Sequence, residues 1–398
     1  MRVVVAFASF SRHISGVQRH AISVARCLLT RPEISEVHLI AAPWQLEFVR
    51  DAASCSDERL HVHTAEIGSG VVSRNLWYYV ELPRIAAELR ADIVHIAYPS
   101  PLRRGAFRCP TVVSLHDLYP YDIPENFGRP KVLFNQFVLR QCLRSADAIA
   151  CVSESTLSRL EQIEPSLASG KATVVSNSVE PHRQVSSHSP LSGWQGQPFL
   201  LCIAQHRRNK NILFLLRVFK RLLHSSQIDP ETRLVIVGIE GPETKDILQF
   251  LDQAGVASRV TLLRGISEEE LHWCYQNCEL LLAPSIIEGF GLPVAEALLA
   301  GCRVICSDIP AFREVGRDNC QYISLDSAAE QKFVNAVLAA FRQPRCEPVP
   351  LPQLSAPVIA GEYLRLYQSL LARASTAQAP TLRSPIPTSH EPSRAGGD

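Results

Sequence analysis

ELLLAPSIIEGFGLPVAEALLAG, residues 279–301, reads as a strand, a loop and a helix in succession. The apolar run ELLLAPS (279–285) is short and uninterrupted, as in a strand buried on both faces of a parallel sheet. Gly289 and Gly291 permit close backbone approach. Pro293 suits the first turn of a helix over 292–300, and Gly301 suits its end. Two acids bracket that turn. Glu288 precedes it, and Glu296 lies among Val294, Ala295, Ala297 and Leu298. A buried carboxylate is costly without a polar partner, and a helix N-terminus offers N–H groups and a positive dipole end suited to phosphate. The pair therefore points to a polar, phosphate-bearing ligand. The same residues also describe a Gly-rich turn with a salt-bridged Glu.

The strand–loop–helix unit repeats along the chain. VVVAFA (3–8), EVHLIAA (36–42), RLHVHTA (59–65), ADIVHIA (91–97), TVVSLHD (111–117), AIACVS (148–153) and ATVVSN (172–177) read as strands. Helical patterns lie between them, among them 17–29 and 81–90. A second series follows at 199–204, 233–238, 259–264, 279–285 and 302–307, with helices near 211–224, 243–254, 268–277 and 292–300. Such alternation predicts an α/β protein with two doubly wound, Rossmann-like domains facing a cleft. The expected boundaries are an N-terminal domain at 1–182, a Ser-, Gly-, Gln- and Pro-containing linker at 183–198, and a C-terminal domain at 199–356. A C-terminal helix at 357–372 and a disordered tail at 373–398, poor in apolar residues, complete the expectation.

Composition narrows the function. The chain has 398 residues, 46% of them apolar and 20% charged, with a net charge of +1. That balance excludes a general polyanion binder, and no nucleic-acid partner is expected. Between residues 100 and 145 seven cations face Asp117, Asp122 and Glu125, a local net of +4. No apolar run reaches the length of a membrane span, and MRVVVAFASF reads as a buried strand, not a signal peptide. A cytoplasmic protein is expected. The twelve cysteines lack zinc spacing, His61 and His63 read as solvent-facing residues of one strand, and no Asp-x-Asp occurs. No metal is expected.

Ligands of open α/β sheets bind beyond the carboxyl ends of the strands, and three further loops stand there. IAQHRRNKNILFLL (203–216) carries Arg207, Arg208 and Lys210; Arg supplies a planar fork and Lys a point charge for a diphosphate. A solvated basic loop is the plain alternative. SLHDLYP (114–120) carries His116 and Asp117, which suit a substrate hydroxyl and its orientation, or equally a core-edge His with a capping Asp. SFSRHISGVQRHA (9–21) has Gly16 at a helix start, but no GxGxxG, so a nicotinamide dinucleotide is not indicated. ASGKAT (168–173) lacks the upstream Gly of a P-loop and reads as a surface turn.

EGFGLPVAEALLAG resembles the E-x7-E signature of retaining glycosyltransferases of family 4, which have the GT-B fold. WYYVELPRIAAELRADIVHIAYPSP, the HD of SLHDLYP, VSEST (152–156), NSVEP (177–181), the KN of RRNKNI and IPAFREVG follow in that family's order. The order of the HD and VSE segments is similar to that of the mannosyltransferase-like branch. The resemblance implies that Glu288 contacts hydroxyls of the donor sugar and Glu296 the ribose. Gly289, Phe290, Gly291 and Leu292 would pass their backbone along the donor. Lys210, with Arg207 or Arg208, would bind the diphosphate, and the base would sit by Arg264 and Gly265. His116 would contact the transferred sugar, and Gly16 and Asp117 would border the acceptor. His116, Lys210 and Glu288 form the expected catalytic set. Ala204 stands where the family often has Gly.

The expected activity is transfer of a hexose, best mannose from GDP-mannose, to a sugar hydroxyl of a glycan or lipid-linked oligosaccharide, with retention, in surface polysaccharide assembly. No cofactor is expected. Arg103, Arg104, Phe107, Arg108 and the helix 129–145 form a candidate peripheral contact with the inner face of the cell membrane. The rival readings are a glycoside phosphorylase or sugar-nucleotide epimerase on this fold, and a non-catalytic sugar-nucleotide-binding subunit.

Overall fold

Among the described residues, β-branched and apolar runs form thirteen strands. The computed structural model describes residues 1–9, 16–52, 57–68, 70–181, 189–341 and 343–378. Strands β1 (Arg2–Ala6), β2 (Glu36–Ala41), β3 (Leu60–Thr64), β4 (Ile93–Ile96), β5 (Thr111–Leu115), β6 (Ala148–Cys151) and β7 (Ala172–Val174) make one sheet in the order β3-β2-β1-β4-β5-β6-β7. Strands β8 (Phe199–Ile203), β9 (Arg233–Val237), β10 (Val260–Leu263), β11 (Leu280–Ala283), β12 (Arg303–Ser307) and β13 (Cys320–Ile323) make the other, in the order β10-β9-β8-β11-β12-β13. Every recorded pairing is parallel. Each sheet therefore has a switch point, between β1 and β4 in the first and between β8 and β11 in the second. Loops diverge there and leave room for a ligand.

Both faces of each sheet are covered. Along β1 and its extension, Val3, Val5 and Phe7 enter one core while Val4, Ala6 and Ala8 enter the other, following the two-residue period of a strand. Leu201 and Leu200 divide in the same way across the second sheet. Eleven described cysteines are unpaired thiols, nine of them buried, as expected of small apolar residues.

Several elements depart from the sequence reading, among them the helix Ala329–Ala340, which it does not contain. That reading contains no strand at β13, whose CQYI is short and half-buried. The helix expected at 81–90 instead begins at Val71, passes through a π-helical turn at Trp77–Glu81 and ends at Glu88. The C-terminal helix runs Ala356–Gln378, six residues into the expected tail. Its last turns are tied by Ser375 Oγ to the carbonyl of Leu371 at 2.9 Å and by Thr376 Oγ1 to that of Ala372 at 3.3 Å. The rest of that expected tail, 379–398, lies outside the described residues. So do residues 183–188 of the expected linker. Its described part is anchored: Leu191 is buried, and Trp194 stands edge-on to Trp273 at 4.9 Å.

The C-terminal helix returns to the first sheet. Ile359, Ala360, Tyr363, Leu364, Tyr367 and Leu370 share a core with Val3, Val5, Ala25 and Leu28. The chain thus crosses between its halves twice.

Candidate functional site

The loops after β8 and β11 meet the loop after β5. Lys210 follows β8 in a short 3-10 turn, Arg208–Lys210, that Asn211 closes at a left-handed φ of 56°. Its Nζ donates to Glu288 Oε1 at 2.5 Å. Ser285 Oγ donates to the same oxygen at 2.7 Å, and the Tyr119 hydroxyl to Oε2 at 3.3 Å. The pair is largely enclosed, with side-chain exposures of 18% for Lys210 and 10% for Glu288. Three donors hold Glu288 at one angle, so it serves as a hydrogen-bonding group of fixed direction.

Gly289 explains how closely the halves approach. A Cβ there would lie 1.7 Å from the carbonyl oxygen of His116. The Gly289 carbonyl accepts from Ser153 Oγ at 2.5 Å and Thr156 Oγ1 at 3.1 Å, both from the first half. Gly291 has a φ of +106°, and a Cβ there would meet the Phe312 ring at 2.9 Å. The sequence reading assigns both glycines to close approach by a ligand; here the neighbours are protein atoms. Gly291 also caps the helix Leu292–Leu299, which carries Pro293 in its first turn.

His116 and Asp117 close the opposite wall. His116 Nε2 lies 2.8 Å from the Ala97 carbonyl. A carbonyl only accepts, so Nε2 carries the proton and Nδ1 keeps its lone pair. Burial holds the imidazole below its usual range, hence neutral near pH 7. Asp117 accepts from the Tyr119 backbone N–H at 3.1 Å. Burial pushes its carboxyl up to about 6, helped by the nearby charge of Glu288 and opposed by the Tyr119 N–H, Arg207 and Lys210.

The two arginines part company. Arg207 is half-buried and its charge reaches Asp117 and Tyr119, whereas Arg208 is exposed and its charge reaches Glu243. Glu296, in the helix Leu292–Leu299, accepts from the Tyr275 hydroxyl at 2.8 Å. Arg264 and Gly265 follow β10, two strands from β8, with Arg264 paired to Glu240 and Gly265 at a φ of +65°. Phe290 is buried in the core beside Val294 and Phe312. Its ring is a core residue. Gly16 opens the helix Gly16–Leu29, and no atom of the described residues lies within 4 Å of where a Cβ would sit; residues 10–15 are outside the described residues.

Tyr119, Ser285 and Tyr275, the groups that orient the two acids, are absent from the sequence reading. Tyr119 and Ser285 stand within quoted motifs, but nothing in the spacing aims them at Glu288. Among the described residues no group of three or more His, Cys, Asp or Glu could hold a metal ion.

The expected lipid-facing loop is built differently. Phe107 is buried at 6% exposure and Arg104 is held by Asp147; that loop offers no aromatic side chain. Exposed apolar side chains among the described residues include Leu133, Phe134 and Phe137 on the helix Arg129–Ser145, the helix that the expected contact names, and Val71, Val72, Leu76, Tyr79 and Val80 on the segment 71–81. Arg140, on the same helix, is paired with Glu164. No helix among the described residues is long and apolar enough to cross a membrane.

Comparison with known proteins agrees with this architecture. Residues 14–183 match the family model of glycosyltransferase family 4, and residues 188–348 that of glycosyl transferases group 1. O-antigen chain mannosyltransferase B of Escherichia coli is 23% identical over 330 residues, spanning 80% of this chain and 85% of that one. The GDP-mannose:cellobiosyl-diphosphopolyprenol alpha-mannosyltransferase of Xanthomonas oryzae is 23% identical over 353 residues, spanning 83% and 86%. Among solved structures, Anabaena HepE in complex with UDP and glucose superposes with a TM-score of 0.62 at 17% identity, covering 96% of this chain and 99% of HepE.

Proposed function

Because the chain belongs to glycosyltransferase family 4, in its mannosyltransferase-like branch, we propose that it moves mannose from GDP-mannose to a sugar hydroxyl of a lipid-linked oligosaccharide, with retained configuration. The observation that carries this reading is the meeting of Lys210, Arg207 and Glu288 with His116 and Asp117 beyond the carboxyl ends of β5, β8 and β11. The mannosyltransferases among its relatives favour the donor, and the polyprenol-linked substrate of one of them favours the acceptor.

In the reaction the bond from the sugar C1 to the diphosphate breaks and a bond from C1 to the acceptor oxygen forms. The acceptor proton leaves on the diphosphate. Negative charge grows on the leaving group, where Lys210, Arg207 and the N-terminus of the helix Leu292–Leu299 stabilise it in place without reorganising. Arg207, not Arg208, takes the phosphate role. Glu288 accepts from sugar hydroxyls, Glu296 from the ribose, and the lone pair on His116 Nδ1 from a further sugar hydroxyl. The base rests against Arg264 and Gly265, and the acceptor enters between Gly16 and Asp117. In this reading Glu288 is a hydrogen-bonding group of fixed direction, held by Lys210, Ser285 and Tyr119, and not a covalent nucleophile.

A membrane-borne acceptor gives Leu133, Phe134 and Phe137, with Lys131 exposed beside them, a role as a peripheral contact with anionic lipid. The test of the reaction is to incubate the protein with GDP-mannose and lipid-linked oligosaccharides and read the new anomeric signal by NMR. The proposal expects an α-mannoside and GDP. A β-linked product would remove retention. Turnover that requires inorganic phosphate would replace the reading with a phosphorylase.

A further inference from the structure

Behind His116 lies a buried row of polar side chains that the transfer reaction leaves unused. It starts on the C-terminal helix, where the Tyr367 hydroxyl meets His95 Nδ1, on β4, at 2.6 Å. His95 Nε2 meets Ser114 Oγ, on β5, at 2.7 Å. The same hydroxyl meets His20 Nε2, on the helix Gly16–Leu29, at 2.8 Å. His20 Nδ1 meets Asn177 Oδ1 at 2.6 Å. Tyr367, His95 and Ser114 are fully buried, and His20 and Asn177 nearly so.

Proton counting gives the row a direction. The amide oxygen of Asn177 only accepts, so His20 Nδ1 carries a proton and His20 Nε2, in a neutral ring, must accept. Ser114 has one proton and gives it to His20. The Ser114 oxygen then accepts from His95 Nε2–H, and His95 Nδ1 accepts from the Tyr367 hydroxyl. Each donor finds one acceptor with both rings neutral. Burial favours the same state, holding His20 well below its usual range and His95 at about 3. The row ends against the site: the His20 ring stands edge-on to His116, with centroids 4.5 Å apart at 87°.

We propose that His20 is a positioning residue for His116, and that Tyr367 and Ser114 fix the His20 ring so that the C-terminal helix sets the angle of the site imidazole. The inference rests on the reading of His116 as a group that touches the transferred sugar. Such a row acts as one unit, since breaking one link leaves its neighbours free to change tautomer or tilt. The link to the C-terminal helix also gives that second chain crossing a part in the chemistry.

The test uses the full chain with 15N-labelled histidine. Tyr367→Phe removes one hydroxyl far from the reacting atoms and keeps the ring; Ser114→Ala removes the central hydroxyl. The expected spectrum of the wild type has His95 and His116 protonated at Nε2 and His20 at Nδ1. Tyr367→Phe is expected to shift the His20 and His116 signals as well as those of His95. It should also lower kcat about three- to tenfold, the worth of one hydrogen bond, with donor KM within about twofold. In a His116→Ala background it should lower kcat no further. Unmoved His20 and His116 signals, or effects of Tyr367→Phe and His116→Ala that multiply independently, would overturn the positioning role. If the protein transfers no hexose, the functional reading fails, and the histidine signals still decide whether the row orders His116.

Discussion

Asp117 offers a stability test with a sign that the structure fixes. Its carboxyl is pushed from 3.8 up to about 6, chiefly by burial. Below the unfolded value both states hold the proton. Between the two values the native state keeps a proton that the unfolded chain has lost, so raising the pH through this window destabilises the fold. Above about 6 both states are ionised and the native state bears the cost of a charge partly removed from water. A rise from 3.8 to about 6, at about 1.36 kcal/mol for each tenfold change in proton affinity, gives about 3 kcal/mol. Asp117→Asn has nearly the shape of the protonated acid and keeps an oxygen for the Tyr119 N–H. The variant should match the wild type near pH 4 and exceed it by about 3 kcal/mol at pH 7.5. For halves of this size that is a Tm difference of roughly 6–12 °C. Thermal unfolding of both proteins between pH 4 and 8 reads it, because taking the difference cancels the groups they share. A difference that stays flat across the range, or is largest at acid pH, would refute the burial argument.

Other perturbations separate the parts of the site. Lys210→Ala should lower kcat on the order of a hundredfold, as removal of a preorganised charge-stabilising group does; Arg207→Ala should approach it, while Arg208→Ala stays near the wild type in the same steady-state assay. Gly289→Ala must part the halves, because its Cβ would sit 1.7 Å from the His116 carbonyl; a cost of about 1–3 kcal/mol should appear in thermal unfolding, with a larger radius of gyration by scattering. Leu133→Ser with Phe137→Ser should abolish co-sedimentation with vesicles of anionic lipid and leave transfer to a soluble acceptor intact.

Much of this organisation is legible in the residues. Uninterrupted runs such as VVVAFA and ELLLAPS reveal strands because a strand covered on both faces has no polar side to alternate with. The switch-point rule then directs attention to the loops holding His116, Lys210 and Glu288, and those loops do meet. The partners of the acids were not legible. Tyr119 and Glu288 are 169 positions apart and Tyr275 and Glu296 are 21 apart, and a hydroxyl's aim follows from packing, not from spacing. The same holds for Tyr367 and His95, which are 272 positions apart. Phe107 misled because an aromatic beside arginines suits a lipid surface, but here the ring fills the core that holds Val4, Ala6 and Ala8. Strand β13 was hidden because Gln321 breaks the apolar run at a sheet edge. The extended C-terminal helix was hidden because Ser375 and Thr376 favour turns unless their hydroxyls turn back to the helix carbonyls, as they do here.

The central claim is that Lys210, Glu288 and Glu296 enclose a nucleoside diphosphate sugar. The most direct measurement is protection from thermal unfolding by a panel of such sugars, without added metal, on the wild type and on Glu296→Ala. The account predicts a rise in Tm with GDP-mannose that the variant loses. An equal rise in the variant, or no rise with any sugar nucleotide, would contradict it.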